Sequence, residues 1–192
     1  GMTFAWFTDT ASTGVNKIQA GNLDVKLMYS ADMQTWKEAT DQTKLFDDNA
    51  LWEPGHTQVV YLKVVNNGNL ALKYEAGFSK NYTSNRGKNV NGDWYRVDNY
   101  LKIGTAETET AYASREAVWS AIAATEKTLA KDVMLTNDWI TLKPKAESKP
   151  FAVAIYMPTS VGNEANASKN RPSSVSGLGI EVRATQETVE SD

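Results

Sequence analysis

The chain has 192 residues, with 20 lysines and arginines against 23 aspartates and glutamates, a net charge of -3, one histidine and no cysteine. This length suits one domain, and we treat residues 1–192 as a single domain. The missing cysteines exclude zinc ribbons, thiol catalysis and disulfide scaffolds, and the mildly acidic charge argues against nucleic acid as a partner, because nucleic-acid binding needs clustered positive charge.

The first half of the chain predicts β-strands. Residues 23–29 alternate between apolar and mostly polar side chains, which is the pattern of a half-buried strand, and residues 35–38 are a weak candidate for its hairpin partner. Residues 57–65 carry apolar side chains on both faces, which indicates a central strand. The turn sequence at 66–69 (NNGN) leads into a further alternating run at 70–78, and we predict that these two runs form a hairpin.

The second half predicts one helix among further strands. Ser114 suits the N-cap of a helix over residues 114–131. The apolar stripe of that helix comprises Val118, Ile122, Thr125 and Leu129. Strands are expected at residues 94–103, 139–142, 151–157 and 178–185. Polar stretches predict long surface loops at residues 80–93 and 162–176 and a solvated tail at residues 187–192.

Taken together, these elements favour a mainly-β fold: a jelly-roll-like two-sheet β-sandwich with an inserted α-helix and long surface loops. The helical insertion is expected at about residues 104–132, and residues 1–19 form an N-terminal segment. The predicted core comprises Leu23, Val25, Leu27, Val60, Leu62, Val64, Leu72, Val153, Ile155, Ile180 and Val182. No apolar run approaches the ~20 residues that a membrane helix needs, so we predict no membrane span.

The single histidine offers little catalytic chemistry. His56 follows a Pro-Gly turn at the start of a strand, where a solvated or capped side chain is more common than a metal ligand. A lone imidazole without ligating partners cannot hold a catalytic zinc. We therefore expect no catalytic residue, no metal and no cofactor.

Paired carboxylates occur at residues 47–48 and at Glu107 and Glu109, and glycoside hydrolysis needs such a pair. Both pairs lie in polar stretches, so solvated surface positions are expected instead. Asp41, the 47–48 pair and Asn49 offer oxygen atoms to calcium, but their spacing lacks the EF-hand pattern. No calcium site is predicted.

Aromatic residues are frequent in the middle of the chain, and Trp94, Tyr95 and Tyr100 are the candidates for a glycan-binding site. Exposed on a sheet, such rings can stack on sugars. The alternative is that they pack the sheet against the helix, since each ring buries ~150–250 Å². Packing is the role we expect, and carbohydrate binding or adhesion stays open as a second function.

Within the N-terminal segment, residues 4–8 are strongly apolar, and their side chains alternate in direction if the chain is extended. They can therefore form a strand with large side chains on both faces. The donor-strand candidates are Phe4, Ala5, Trp6, Phe7 and Thr8. A free aromatic strand invites aggregation, and proteins normally pair or cover it. It can pair as an edge strand of its own sandwich or add to the sheet of another subunit.

Short motifs at both ends of the chain occur in a recognisable order. They are residues 4–10 (FAWFTDT), 20–25 (AGNLDV), 52–55 (WEPG), 64–71 (VVNNGNLA), 162–164 (GNE) and 180–186 (IEVRATQ). In this order they resemble the TasA/camelysin family of secreted biofilm-matrix and cell-surface proteins of Gram-positive bacteria. In that family the aromatic stretch closely follows the cleaved signal peptide. Residues 80–139 match none of the family's motifs.

The resemblance implies a jelly-roll sandwich that is exported to the extracellular matrix or cell surface and forms fibres by donating its N-terminal strand. The implied partners are further copies of the chain, or other matrix and envelope proteins. Camelysin-type members have been classed as metallopeptidases, which is a third and disfavoured function because no ligand cluster accompanies His56. A structural, self-assembling secreted protein is the function that the sequence favours.

Overall fold

The computed structural model describes residues 15–187. The five donor-strand candidates at residues 4–8 lie outside the described residues, as do residues 188–192 of the predicted tail. Glu187, the first residue of that tail, is held by a hydrogen bond from its backbone N–H to the carbonyl of Ala71 (2.9 Å).

Residues 15–187 form mainly β-structure. The strands are β1 (Lys17–Gln19), β2 (Val25–Ser30), β3 (Lys37–Glu38), β4 (Thr57–Asn66), β5 (Leu72–Phe78), β6 (Thr83–Asn85), β7 (Gly87–Lys88), β8 (Trp94–Tyr95), β9 (Lys102–Glu107), β10 (Lys127–Thr128), β11 (Ile140–Leu142), β12 (Phe151–Tyr156), β13 (Ser174–Ser176) and β14 (Ile180–Gln186). The helix α1 is Arg115–Ile122, and short 3-10 helices span Val97–Tyr100 and Asn163–Ala165.

Two sheets make the sandwich. The four-stranded sheet has the order β1-β14-β5-β11, and the six-stranded sheet has the order β10-β9-β12-β4-β2-β3. Two small ribbons, β13-β6 and β7-β8, extend the structure beside them. Six strands alternate in chain order between the two sheets, as strands do in a jelly roll. The six-stranded sheet contains β4, β9 and β12, and the four-stranded sheet contains β5, β11 and β14. The predicted mainly-β sandwich with one inserted helix is confirmed.

The main core lies between the two sheets. Its completely buried side chains include Leu27, Leu62, Leu72, Ile155 and Ile180. Ten of the eleven predicted core residues are buried, while Leu23 is half-buried at the margin of the core. The alternation of apolar side chains along the strands therefore placed the core correctly.

The prediction of a hairpin at residues 66–69 is wrong, because β4 belongs to the six-stranded sheet and β5 to the four-stranded sheet. The chain crosses between the sheets at this point. Buried Asn66 fixes the crossing: its amide donates to the carbonyls of Leu70 (2.8 Å), Leu142 (3.2 Å) and Lys143 (3.1 Å). Residues 66–69 therefore connect the two sheets instead of forming a hairpin within one sheet.

The predicted helix over residues 114–131 is also too long, since α1 ends at Ile122. The Thr125 hydroxyl accepts from the backbone N–H of Thr105 (2.9 Å), and β10 then pairs with β9. Leu129 enters the main core instead of extending the helical stripe. The insertion expected at 104–132 thus contains the end of β9, a short helix and an edge strand.

Two further expectations need correction. The strand predicted at 94–103 is divided into β8, the 3-10 helix Val97–Tyr100 and the first part of β9. The loops predicted at 80–93 and 162–176 contain β6, β7 and β13. Tyr82 and Val175 are buried there, because these short strands pack against the main core.

The helix covers the outer face of the six-stranded sheet. Val118 and Ile122 of α1 pack on Ala154 and Tyr156 of β12, which creates a second, smaller core. The indole N–H of Trp119 donates to the Thr57 hydroxyl at the start of β4 (2.9 Å). Among the described residues, no helix has the length and apolar character needed to cross a bilayer.

Candidate functional site

A cleft of about 560 Å³ opens between the edges of the two sheets, and we call it the edge cleft. One wall comes from the six-stranded sheet, at Thr105–Glu107 of β9 and Phe151 of β12, and the other comes from β11 of the four-stranded sheet. Tyr74 lies at its base. The edge cleft is therefore the place where the sandwich is open at its side.

In the described part of the chain, both strands that border the edge cleft have an edge without a strand partner, β11 along its whole length and β9 along part of its length. β11 pairs with β5 alone, and β10 covers only the first two residues of β9. The Thr125 hydroxyl also hydrogen-bonds to the backbone of Thr105, so the exposed part of β9 begins after that residue. Strand edges of this kind accept an added strand through main-chain hydrogen bonds.

The surface next to the edge cleft is unusually apolar. Ile140 lines the cleft and is 40% exposed, and its sequence neighbour Trp139 is 42% exposed. Met134, which precedes the lining residue Leu135, is 40% exposed. Large exposed apolar side chains that share one short segment are typical of a surface that another chain covers.

The lining of the edge cleft is mixed. Tyr74, Leu142 and Phe151 supply apolar surface, and hydroxyl, amide and charged side chains from both walls supply polar groups. Burial raises the pKa of the Tyr74 hydroxyl, the Ser148 hydroxyl opposes that shift, and the negative charge of Glu107 adds to it. Ser148 itself is held in place, since its hydroxyl accepts from the backbone N–H of Val64 (2.9 Å). A cleft with apolar and hydrogen-bonding groups between two strand edges can accept an extended peptide.

The described chain starts at the opposite edge of the four-stranded sheet. β1 pairs in parallel with β14, with Ile18 opposite Val182. Buried Asn16 fastens this end: its amide donates to the carbonyls of Thr40 (2.9 Å) and Thr43 (2.8 Å), and its side-chain oxygen accepts from the backbone N–H of Ile180 (2.9 Å). Residue 16 is thus held firmly at the β1 edge, and β14 and β5 lie between that edge and β11.

The three glycan-binding candidates do not form one platform. Trp94 is 52% exposed, whereas Tyr95 is buried and its hydroxyl accepts from the backbone N–H of Ser173 (3.2 Å). Tyr100 is half-buried and packs against the main core. The structure therefore leaves Trp94 as the ring available to a ligand.

His56 takes part in packing. Its ring lies edge-on to Trp52, with 4.9 Å between the ring centroids, and its Nε2 is 3.4 Å from the side-chain nitrogen of Gln58. Within residues 15–187, no three His, Cys, Asp or Glu side chains come together in a way that would hold a metal ion.

The carboxylates considered in the sequence occupy separate surroundings. Asp48 pairs with Lys44 and accepts from the backbone N–H of Gly177 (2.9 Å), and Asp47 accepts from the backbone N–H of Asn49 (2.8 Å). Glu107 is exposed at the rim of the edge cleft. Asp47 thus stabilises a local turn, Asp48 connects distant parts of the chain, and within residues 15–187 these carboxylates form no metal-binding cluster.

Sequence reasoning missed the edge cleft and Asn16. No local pattern reports that β9 and β11 border a common opening, because that depends on how the sheets pack. Asn16 lies between Val15 and Lys17, and no pattern in the sequence around it indicated a buried, fully hydrogen-bonded amide.

No protein-family model matches this chain, and no curated protein matches it. Among solved structures, it is similar to the ASH/PapD-like domain of human CEP192 (PapD-like domain 7), with 12% identity, a TM-score of 0.26, and coverage of 74% of this chain and 80% of that chain. A family 123 glycoside hydrolase from Clostridium perfringens has 11% identity and a TM-score of 0.24, over 73% of this chain and 22% of that chain. TM-scores this low support no argument about function.

Proposed function

We propose that this protein is a secreted structural protein of the extracellular matrix or cell surface, and that it assembles head to tail into fibres. In this assembly, residues 4–8 of one copy add as a strand to the edge cleft of the next copy. The observation that carries the proposal is the edge cleft itself, which combines open strand edges with exposed apolar side chains.

The chemistry of the donor segment matches this acceptor. Phe4, Trp6 and Thr8 alternate with Ala5 and Phe7, so an extended segment presents large apolar side chains to both sides. The cleft offers the apolar side chain of Ile140 on one wall and that of Phe151 on the other. Main-chain hydrogen bonds to the strand edges would supply affinity, and the side-chain contacts would fix the register.

The placement of the two ends favours an open polymer. Asn16 fastens the N-terminal segment at the β1 edge of the four-stranded sheet, and the cleft lies at its β11 edge. Donation from one edge to the opposite edge of a second copy is a heterologous contact, which propagates instead of closing. The resemblance to the TasA/camelysin family supports the same function and an exported location.

The proposal is tested by removing the donor and blocking the acceptor separately. One variant lacks residues 2–8, and the other carries Ile140→Arg, which adds a charge and bulk at a position that is already 40% exposed. Leu51→Arg is the matched control, since Leu51 is 62% exposed and does not line the edge cleft. Thermal unfolding verifies that all three variants remain folded.

Electron microscopy and sedimentation then report assembly. We expect fibres from the full chain and from the Leu51→Arg control, and monomers from both other variants. Fibres of unchanged shape from the truncated chain would exclude donation by residues 2–8. Normal fibres from Ile140→Arg would exclude the edge cleft as the acceptor.

A further inference from the structure

A second surface lies on the β7-β8 ribbon and the turn that follows residue 167. Lys88 and Trp94 are directly paired across the ribbon. On its other side Lys88 is hydrogen-bonded to the turn at residues 168–171: its N–H donates to the carbonyl of Arg171 (3.0 Å), and its carbonyl accepts from the N–H of Ser168 (2.8 Å). Three backbone segments thus lie side by side: β8, β7 and the turn at residues 168–171.

This arrangement is tightly packed. A Cβ atom on Gly87 would collide with the backbone of residues 171–173, so only glycine lets the ribbon approach the turn this closely. The Ser168 hydroxyl adds a second hydrogen bond to the Lys88 carbonyl (3.0 Å). The side chains on this surface are therefore held by a fixed backbone.

The surface is cationic although the chain is acidic overall. We call it the cationic tryptophan surface, and it comprises Arg86, Lys88 and Trp94. The adjoining turn carries two further exposed cations, Lys169 and Arg171. Within residues 15–187, none of these four cations belongs to an ion pair. The Arg86 guanidinium lies 4.2 Å, and the Lys88 ammonium 4.9 Å, from the centroid of the Trp94 ring. Two unpaired cations at one ring, beside a turn with two more, favour an anion here although the net charge of the chain is -3.

Three acidic groups lie close to this surface or to the adjoining turn in sequence. Asp93 adjoins Trp94 and is exposed. Asp98 accepts a hydrogen bond from the Ser84 hydroxyl (2.6 Å), and the Glu164 carboxylate accepts from the backbone N–H of Gly162 (2.9 Å). None of the three forms an ion pair with Arg86 or Lys88 within residues 15–187.

We propose that the cationic tryptophan surface binds an acidic polysaccharide, a polymer whose sugar rings carry carboxylate groups. A guanidinium presents two parallel N–H donors to a carboxylate, and such charge-assisted hydrogen bonds are about twice as strong as neutral ones. Trp94 is 52% exposed, so the part of its indole that Arg86 and Lys88 do not cover offers the apolar contact area that the C–H side of a sugar ring requires. Charge and ring together select an acidic sugar over a neutral one.

Single-stranded nucleic acid is also anionic, but its binding sites provide several rings on which successive bases stack. The cationic tryptophan surface has one exposed ring, because Tyr95 is buried beneath the ribbon. The number of rings therefore favours a polysaccharide. This inference does not depend on fibre formation, since the surface shares no lining residue with the edge cleft.

The test uses the full chain and measures its retardation in gels that contain polygalacturonate. Fully methyl-esterified polygalacturonate is the matched ligand, because it has the same sugar ring without the charge. The binding variants are Trp94→Ala and the double variant Arg86→Gln with Lys88→Gln. Trp36→Ala is the matched protein control, since the Lys63 ammonium lies 4.5 Å from the Trp36 ring and Trp36 belongs neither to this surface nor to the edge cleft.

We expect polygalacturonate to retard the full chain and the Trp36→Ala control equally, and both binding variants to bind at least tenfold more weakly. Added salt should weaken binding by screening, and the esterified polymer should not bind. Thermal unfolding verifies that every variant remains folded.

Any of three results would overturn the proposal: polygalacturonate fails to retard the full chain, Trp94→Ala binds polygalacturonate as tightly as the full chain does, or the full chain binds the esterified polymer as tightly as polygalacturonate. Tighter binding of single-stranded DNA than of polygalacturonate would assign the surface to nucleic acid instead. Repeating the gel with the chain that lacks residues 2–8 separates the two proposals, because its binding to polygalacturonate should be unchanged even if fibres are lost.

Discussion

Asn16 is completely buried and uses both ends of its side-chain amide. It ties three parts of the chain together: the start of β1, the turn at residues 40–43, and the first residue of β14. A buried polar side chain is tolerated only when its hydrogen bonds are made, and here they are. The amide therefore fixes the position of residue 16, at the start of the described chain, against the sandwich.

Replacing Asn16 should destabilise the fold strongly. Asn16→Ala leaves the N–H of Ile180 and the carbonyls of Thr40 and Thr43 without this partner, and a cost of about 2–4 kcal/mol in the free energy of unfolding is expected. Urea unfolding measures it, with Asn99→Ala as the exposed control, expected within about 0.5 kcal/mol of the parent chain. Equal stability of the two variants would contradict the role assigned to Asn16.

Two buried tyrosines predict a loss of stability at high pH. Burial raises the pKa of Tyr82 from 10.0 to about 12, with Asp98 adding to the shift, and burial together with the Glu126 carboxylate does the same for Tyr156. Between these values the unfolded chain loses the phenol protons while the folded chain keeps them. Since the folded state then binds more protons, the free energy of unfolding falls as the pH rises from about 10 to about 12.

The tyrosine contribution can be separated from that of other groups that titrate in this range. Tyr156→Phe and Tyr82→Phe should each reduce the slope of the unfolding free energy against pH above pH 10, while leaving its slope below pH 9 unchanged. Urea unfolding at several pH values gives these slopes. An unchanged slope in the double variant would show that the two phenols titrate normally in the folded protein.

At the scale of elements, α1 depends on a close approach to β9. A Cβ atom on Gly104 would lie 2.8 Å from the Cβ of Ile122 and 3.0 Å from its carbonyl oxygen. The last turn of α1 thus packs directly on the backbone of the six-stranded sheet. Few side chains intervene, so the helix cannot shift to accept a larger residue without losing contacts of the second core.

Gly104→Ala should therefore destabilise the protein by about 1–3 kcal/mol through overpacking. Gly68→Ala is the control, because a Cβ there would meet neighbouring atoms at an ordinary 3.5 Å or more. Urea unfolding of both variants, followed by the fluorescence of Trp119 and the other tryptophans, measures the difference. Equal stability would mean that α1 moves away from β9 at little cost.

The elements also show what local sequence can predict. Alternation located β2 and β14 and their buried faces, because one residue in two faces the core. Continuous apolar runs located β4 and β12, which lie inside the six-stranded sheet. The partner of each strand was not predictable in the same way. The turn at residues 66–69 has the residues of a hairpin, yet the bonds of Asn66 to residues 142 and 143 direct the chain into the other sheet.

Helix length was overestimated for a related reason. Residues 123–131 have good helical propensity, but hydrogen bonding of Thr125 to Thr105 and the pairing of β10 with β9 extend the sheet instead. Propensity is a weak preference that tertiary contacts override. The cationic tryptophan surface shares this dependence: Trp94 was singled out from the sequence, whereas only the fold brings the turn at residues 168–171 beside Lys88.

For the molecule as a whole, the proposed fibre requires each copy to be a donor at one edge and an acceptor at the other. β1 and β11 lie at opposite edges of the four-stranded sheet, roughly 14 Å apart for three strand spacings. A donor fixed at one edge leaves the cleft at the other edge open for the next copy. The polymer then has two different ends, and each end grows through a different surface.

This polarity yields a prediction that a symmetric assembly does not share. The chain lacking residues 2–8 accepts a strand but donates none, and the chain with Ile140→Arg donates a strand but accepts none. Each alone should remain monomeric. A small amount of either should shorten fibres of the full chain, and Leu51→Arg should not shorten them.

Mixed in equal amounts, the truncated chain and the Ile140→Arg chain should form a one-to-one dimer and nothing longer, because the only compatible donor and acceptor are used in a single contact. Analytical ultracentrifugation distinguishes this dimer from monomers and from polymers. Long fibres in the mixture, or no dimer at all, would rule out head-to-tail donation through the edge cleft.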